Sequence, residues 1–353
     1  MNNSNPITPI VLLSGFLGSG KTTLLMKTIE YYKGKNKQVA VIMNELGEVN
    51  LDGLMINENI PMAEMLSGCI CCTIRGDLGL TIMNLVEHEH PDVILIESTG
   101  AANPMELIDG ITESSLYEKI YLQLVVIIVD GPHLLALSEK GVGKSFRLMQ
   151  EQIRCADVIL LNKMDRVEPS QLTRLRAIVS DINAAAKLIE TIQCDVDPVL
   201  LLSETDNTIQ KQQNKVYQND EVNRNAGNHE HHEHHEHHEH HHHDTAEHAH
   251  AVTSHTHHSH DHVMVYTHYF HGKVDRERFE QVIRELPQSV YRAKGVLRFT
   301  DSPEDCRYLF QYAYREPDYM RITPQKDVPD VLVLIGEHIP REEIKALLDN
   351  LEH

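Results

Sequence analysis

The sequence predicts an α/β fold, a P-loop doubly wound and mostly parallel sheet, followed by a smaller α+β carboxy-terminal domain. Three observations carry that expectation. Short Val/Ile/Leu-rich runs alternate with amphipathic stretches from Ile7 to about Ser203. The first of these runs leads straight into a glycine-rich turn that opens a helical pattern. From Val263 onward the order changes to several strands with two amphipathic helices. At 353 residues the chain is long enough for two cores.

In chain order, "PIVLLS", "QVAVIMN", "DVILIES", "LQLVVIIVD" and "DVILLNK" are almost continuously apolar, as parallel strands covered on both faces must be. Between them, Leu25, Thr28, Ile29 and Tyr32 fall at helical spacing. So do Leu78, Ile82 and Leu85, and again Leu172, Leu175, Val179 and Ile182. Residues 1–203 therefore form the first domain. Residues 204–262 then hold three basic and eleven acidic residues, and 229–262 contain eighteen of the twenty-five histidines. With almost nothing apolar to bury, this stretch is expected to be a disordered linker. Residues 263–353 resume with "VMVYTHYF", "GVLRFT", "CRYLFQYAY" and "VLVLIG" as strands and "DRERFEQVIREL" as a helix. Ile344, Leu347, Leu348 and Leu351 mark a closing amphipathic helix.

Composition removes several function classes. Thirty-two Lys plus Arg against fifty-two Asp plus Glu leave a net charge of −20, which opposes nucleic-acid binding. The longest apolar run, "LVVIIV", is too short to span a membrane. The amino terminus has no basic start or small-residue cleavage site, so a cytoplasmic setting with reduced thiols is expected.

"GFLGSGKT" follows a strand and opens a helix, which is the context the G-x-x-x-x-G-K-[ST] motif needs. Gly15, Gly18, Ser19, Gly20, Lys21, Thr22 and Thr23 form the expected phosphate cradle. Glycines let backbone N–H groups turn inward, Lys21 brings a cation to the β and γ phosphates, and Thr22 offers a magnesium ligand. "NKMD" at 162–165 selects the base. The Asp165 carboxylate can accept from both the imino and amino hydrogens of guanine, whereas adenine would leave it unmatched. Asn162 is expected to read the other edge of the base, and Lys163 to pack along it. GTP is expected to bind at least about tenfold more tightly than ATP. Glu97, ending the strand before "STG", is the expected magnesium-facing acid; with Lys21 and Thr22 it makes up the expected catalytic set. Glu45, Glu48 and Asp52 lie in a second acidic loop that could respond to the γ phosphate. No glutamine in the sequence identifies itself as positioning the attacking water.

Half of the six cysteines, Cys69, Cys71 and Cys72, fall within four positions. Thiolates that close together suit zinc or copper(I), with Glu45 or a histidine completing a tetrahedron. A small apolar turn and a redox pair are the competing readings; an adjacent-cysteine bridge is strained. Cys155, Cys194 and Cys306 sit among apolar neighbours and are expected to be packed. The tract containing His231, His232, His234 and His235 reads as a low-specificity metal reservoir or, alternatively, a solvated linker with incidental affinity. "RAKG" at 292–295 is expected between a helix and a strand. It could meet a client protein, the nucleotide domain or only solvent.

The ordered set "GFLGSGKTTLL", "NELGEV", "GCICC", "ESTG", "NKMD" and "RAKG" resembles the CobW family of metal-handling GTPases. The resemblance covers nearly all of the chain outside 204–262. It implies a GTP-hydrolysing metallochaperone using GTP, magnesium and zinc, with the three clustered cysteines holding the metal for a client metalloprotein and Glu45 as a further ligand. A cobalt or iron insertion GTPase and a metal buffer with a regulatory GTP site remain the alternatives. A homo-oligomer is compatible with this reading.

Overall fold

The structure is a computed structural model describing residues 6–43, 60–64, 73–141, 143–202, 262–303, 306–313, 315–324 and 326–352. The glutamate loop at 44–53, the cysteine turn at 69–72 and residues 203–261, including the histidine tract, lie outside the described residues.

The amino-terminal domain runs β1 (Thr8–Gly15), α1 (Lys21–Gly34), β2 (Val39–Met43), β3 (Met62–Glu64), α2 (Thr73–Glu89) and β4 (Val93–Glu97). It continues with α3 (Pro104–Ser114), β5 (Ile120–Asp130), α4 (Gly131–Lys140), α5 (Lys144–Arg154), β6 (Val158–Asn162), α6 (Pro169–Ile182) and β7 (Lys187–Glu190). Its seven strands are ordered β3-β2-β4-β1-β5-β6-β7. Every pairing is parallel. The five apolar runs become the five central strands, and two short edge strands, β3 and β7, are added that the sequence pattern does not announce. Separate apolar clusters cover the two faces of the sheet. One contains Ile10, Leu12, Ile94 and Ile127, the other Val11, Leu13, Leu95 and Val126. This period of two is what a doubly covered strand dictates.

Register fixes where the chemistry sits. Leu13 lies beside Glu97, Gly15 beside Ile128, and Asp130 beside Asn162. The carboxyl ends of β1, β4, β5 and β6 therefore finish at one rim of the sheet, the edge where open α/β sheets bind ligands.

The carboxy-terminal domain comprises β8 (Val263–Phe270), α7 (Arg276–Glu285), β9 (Val290–Leu297), β10 (Arg307–Ala313), β11 (Glu316–Ile322), β12 (Asp330–Glu337) and α8 (Arg341–Asp349). Its five-stranded antiparallel sheet has the order β11-β10-β9-β12-β8. Along β12, Leu332 and Leu334 pack with Phe279, Ile344 and Leu348 of the two helices. The alternate residues Val331, Val333 and Ile335 join the cluster of the amino-terminal domain.

Four expectations change here. The expected strand at 295–300 starts earlier, at Val290, so Arg292–Gly295 lies inside β9 rather than in a turn. A strand at 316–322, almost all exposed, pairs with β10. It lacks the apolar alternation that reveals a strand in sequence. Leu347 is 41% exposed, so the closing helix buries Ile344 and Leu348, and Leu351 is buried in the short turn that follows it. His262, assigned to the linker, is buried at 5% exposure beside His338.

Candidate nucleotide site

The turn between β1 and α1 needs its glycines. Gly15, Gly18 and Gly20 have φ of 144°, 71° and 117°, a region that disfavours any side chain. At Gly20 a Cβ would also lie 2.7 Å from Cys194 Sγ and 2.8 Å from the Asn162 amide nitrogen. Gly18, by contrast, faces open space and is required for its φ alone. Ser19 is fully buried, and its backbone N–H donates to Phe16 O at 3.2 Å. Lys21 is 7% exposed, with its ammonium 3.2 Å from Phe16 O, so the cation is folded back over the loop. Thr23 is exposed.

Thr22 Oγ1 donates to Glu97 Oε1 at 2.8 Å, joining residues 75 positions apart. Glu97 is 7% exposed. A threonine hydroxyl and a buried carboxylate, both hard oxygen donors, converge beside the cradle, which is the donor chemistry magnesium takes.

Asn162 departs from its expected position. It is 2% exposed, and both ends of its amide are committed. Nδ2 donates to Ser19 O at 2.8 Å and to Cys194 Sγ at 3.1 Å. Oδ1 accepts from Cys194 N at 3.0 Å and Thr191 Oγ1 at 3.2 Å. An amide has two donors and two acceptor positions, so none is left for a base. Asn162 is a brace tying the phosphate turn to β6 and to the 191–194 turn. Cys194 is a further participant that its apolar neighbours did not announce. Burial pushes its thiol up to about 11, so it acts as a neutral packing group beneath Gly20.

Lys163 adopts φ 63° and pairs through Nζ with Asp130 Oδ2 at 2.6 Å. Asp130 also caps α4 by accepting from His133 N at 3.0 Å. Its place opposite Asn162 in the register brings it to the site. The Asp165 side chain is 48% exposed and has only Arg166 Nε, 3.9 Å away, as an ion-pair partner among the described residues. It stands open at the rim.

Among the described residues, no group of three or more His, Cys, Asp or Glu could hold a metal. Cys69, Cys71, Cys72, Glu45, His231, His232, His234 and His235 are all outside those residues. Cys155 and Cys306 are buried free thiols, as expected of packed residues. No helix among the described residues is long and apolar enough to cross a membrane.

The profile described as "CobW/HypB/UreG, nucleotide-binding domain" matches residues 9–190. A second, "Cobalamin synthesis protein cobW C-terminal domain", matches residues 264–352. "Zinc-regulated GTPase metalloprotein activator 1" of Dictyostelium discoideum is 32% identical over 52% of this chain and 45% of its own length. "Zinc chaperone CobW" of Pseudomonas aeruginosa is 30% identical over 55% of this chain and 59% of its own. The chain thus spans about half the length of these curated relatives. "Zinc chaperone YjiA" of Escherichia coli K12 is 28% identical over 98% of this chain and 99% of that one.

Proposed function

The chain belongs to the CobW/HypB/UreG family, and from that premise we propose that it is a GTP-hydrolysing metallochaperone. It holds zinc, or a similar transition metal, at Cys69, Cys71 and Cys72 with Glu45, and passes it to a client metalloprotein. The observation that carries the nucleotide half is the 2.8 Å contact between Thr22 and Glu97 beside a three-glycine cradle. The metal half rests on the sequence of the cysteine turn and on the relatives' names.

In this reading the backbone N–H groups of residues 18–22 wrap the phosphates, and Lys21 turns from Phe16 O toward the β and γ oxygens. Thr22 and Glu97 would hold magnesium, which supplies charge neutralisation at the triphosphate when bound. Asp165 accepts from guanine. Lys163, fixed by Asp130, lies along the base, while Asn162 keeps the phosphate turn in register with both.

Coupling to the metal has a covalent route. Residue 73 opens α2 directly after Cys72. Helix α2 packs against α3, which follows the turn after Glu97. Movement at Gly100 would therefore reach the helix that begins one residue after Cys72.

Affinity and turnover measurements test the reading. Asp165→Asn should weaken GTP at least about hundredfold while ATP affinity stays unchanged. Cys71→Ala with Cys72→Ala should abolish tight zinc binding and leave GTP binding intact. Zinc affinity identical in the GTP and GDP forms, together with turnover indifferent to zinc, would reduce the protein to a metal buffer and sink the delivery reading. Running the same assay with cobalt and iron distinguishes the insertion alternatives.

A further inference from the structure

Gln152 on α5 belongs to none of the motifs above, yet it is fully buried. Its Nε2 donates to Gly100 O and to Ala102 O, each at 3.3 Å. These two carbonyls bracket the turn that leaves Glu97 and leads into α3, whose cap Asn103 accepts from Met105 N at 3.0 Å. The same turn backs onto the phosphate loop: a Cβ on Gly100 would stand 2.6 Å from Leu17 N and 2.8 Å from Leu17 Cα. Gly100 is thus caught between the phosphate loop and the Gln152 amide.

The other half of that amide is unused. Gln152 Oε1 is buried and has no hydrogen-bond partner among the described residues. A glutamine serving only to fill the core gains nothing over a methionine of the same length, because an orphaned buried acceptor is destabilising. A second arrangement of the turn would use it. If the peptide linking Gly100 and Ala101 reorients, its N–H supplies the donor that Oε1 lacks, while the lost carbonyl contact releases one Nε2 hydrogen.

We propose that Gln152 is a positioning residue for the Thr99–Ala102 turn, holding the Gly100–Ala101 peptide by its Gly100 carbonyl through Nε2 in one nucleotide state and by its Ala101 N–H through Oε1 in the other. An amide serves both arrangements, a carboxylate only the second, and a thioether neither. The terminal phosphate selects between them because the turn lies directly against the phosphate loop. This inference rests on the GTPase reading above.

The test compares the full-length chain with Gln152→Met and Gln152→Glu, measuring GTP turnover, GTP and GDP affinity, and melting temperature. For Gln152→Met, kcat should fall about tenfold with KM within about twofold, because the turn is no longer set for reaction. For Gln152→Glu, which can only accept, one arrangement is lost and the GTP-to-GDP affinity ratio should change about fivefold or more. A methionine variant with parental kcat overturns the inference. So does a glutamate variant in which both nucleotides weaken equally alongside the melting temperature, since that pattern marks a purely structural residue. If the parent chain itself fails to hydrolyse GTP, the proposed function falls instead, and the inference with it.

Discussion

Asn162 concentrates the residue-scale lesson. Its four hydrogen bonds lock together the phosphate turn, the end of β6 and the 191–194 turn. Truncating it leaves Ser19 O and Cys194 N without partners in a dry interior. Each buried orphan costs about 1–3 kcal/mol, so Asn162→Ala should lower stability by roughly 2–4 kcal/mol in urea titration and abolish nucleotide binding together with it.

His268 offers a second residue-scale case with a pH signature. It is 6% exposed and packs edge-on to Phe270, with ring centroids 4.6 Å apart. Burial drives it down to about 4, while Asp349 opposes that shift only in part. Because the folded value lies below the unfolded one near 6.5, the unfolded chain takes up the proton first. Its contribution to stability is complete above pH 6.5 and is lost as pH falls toward 4. Replacing His268 with Phe should flatten the stability profile in that window by up to roughly 3 kcal/mol, read from denaturant midpoints at each pH.

At the scale of elements, α3 connects the nucleotide rim to the carboxy-terminal sheet. Its start is fixed by Asn103 and by the Gln152 contacts; along its length it is gripped by β9. Arg292 Nη1 reaches both oxygens of Asp109, at 2.9 and 3.0 Å, and Lys294 Nζ lies 3.4 Å from Glu113. Both cations belong to the "RAKG" segment, so its partner in this chain is the nucleotide domain. The Asp109 side chain is 10% exposed and that of Arg292 34%, which puts the pair between a surface bridge and a fully dry one. Arg292→Ala should cost about 2 kcal/mol by removing both guanidinium contacts from the Asp109 carboxylate. Arg292→Lys should recover most of that, because a single nitrogen, Nη1, makes both contacts and an ammonium with three donors can fork to the same two oxygens. Chemical denaturation of the two variants checks both statements.

Across the whole molecule, the two sheets are joined by a common apolar layer. Val263, Val265, Val296, Val331, Val333 and Ile335 cluster with Leu116, Ile120 and Leu122 of the amino-terminal domain. Tyr269 adds a polar bolt: its hydroxyl accepts from Ile120 N at 2.9 Å and donates to Glu118 O at 3.1 Å. Lys326 and Glu87 form a further pair between the carboxy-terminal domain and α2. A shared core predicts that the two domains unfold as one cooperative unit. Val333→Asp, which buries a charge in that layer, should split a single calorimetric transition into two. Two transitions in the parent chain would instead show that the layer carries little energy.

Legible from sequence alone are the five central strands, the helices α1, α2 and α6, the glycine-rich turn between β1 and α1, and most of the carboxy-terminal strands. Each is written in local terms: an apolar period, a glycine with positive φ, a lysine and threonine opening a helix. It took long-range packing to show that Thr22 meets Glu97, that Asn162 and Cys194 brace the loop from behind, and that Gln152 holds the turn at 100–102. Packing also turned "RAKG" into a strand gripping α3. Those outcomes join residues far apart in the chain, and a hydrogen-bond partner is chosen by what folding brings within about 3 Å, which no local pattern encodes.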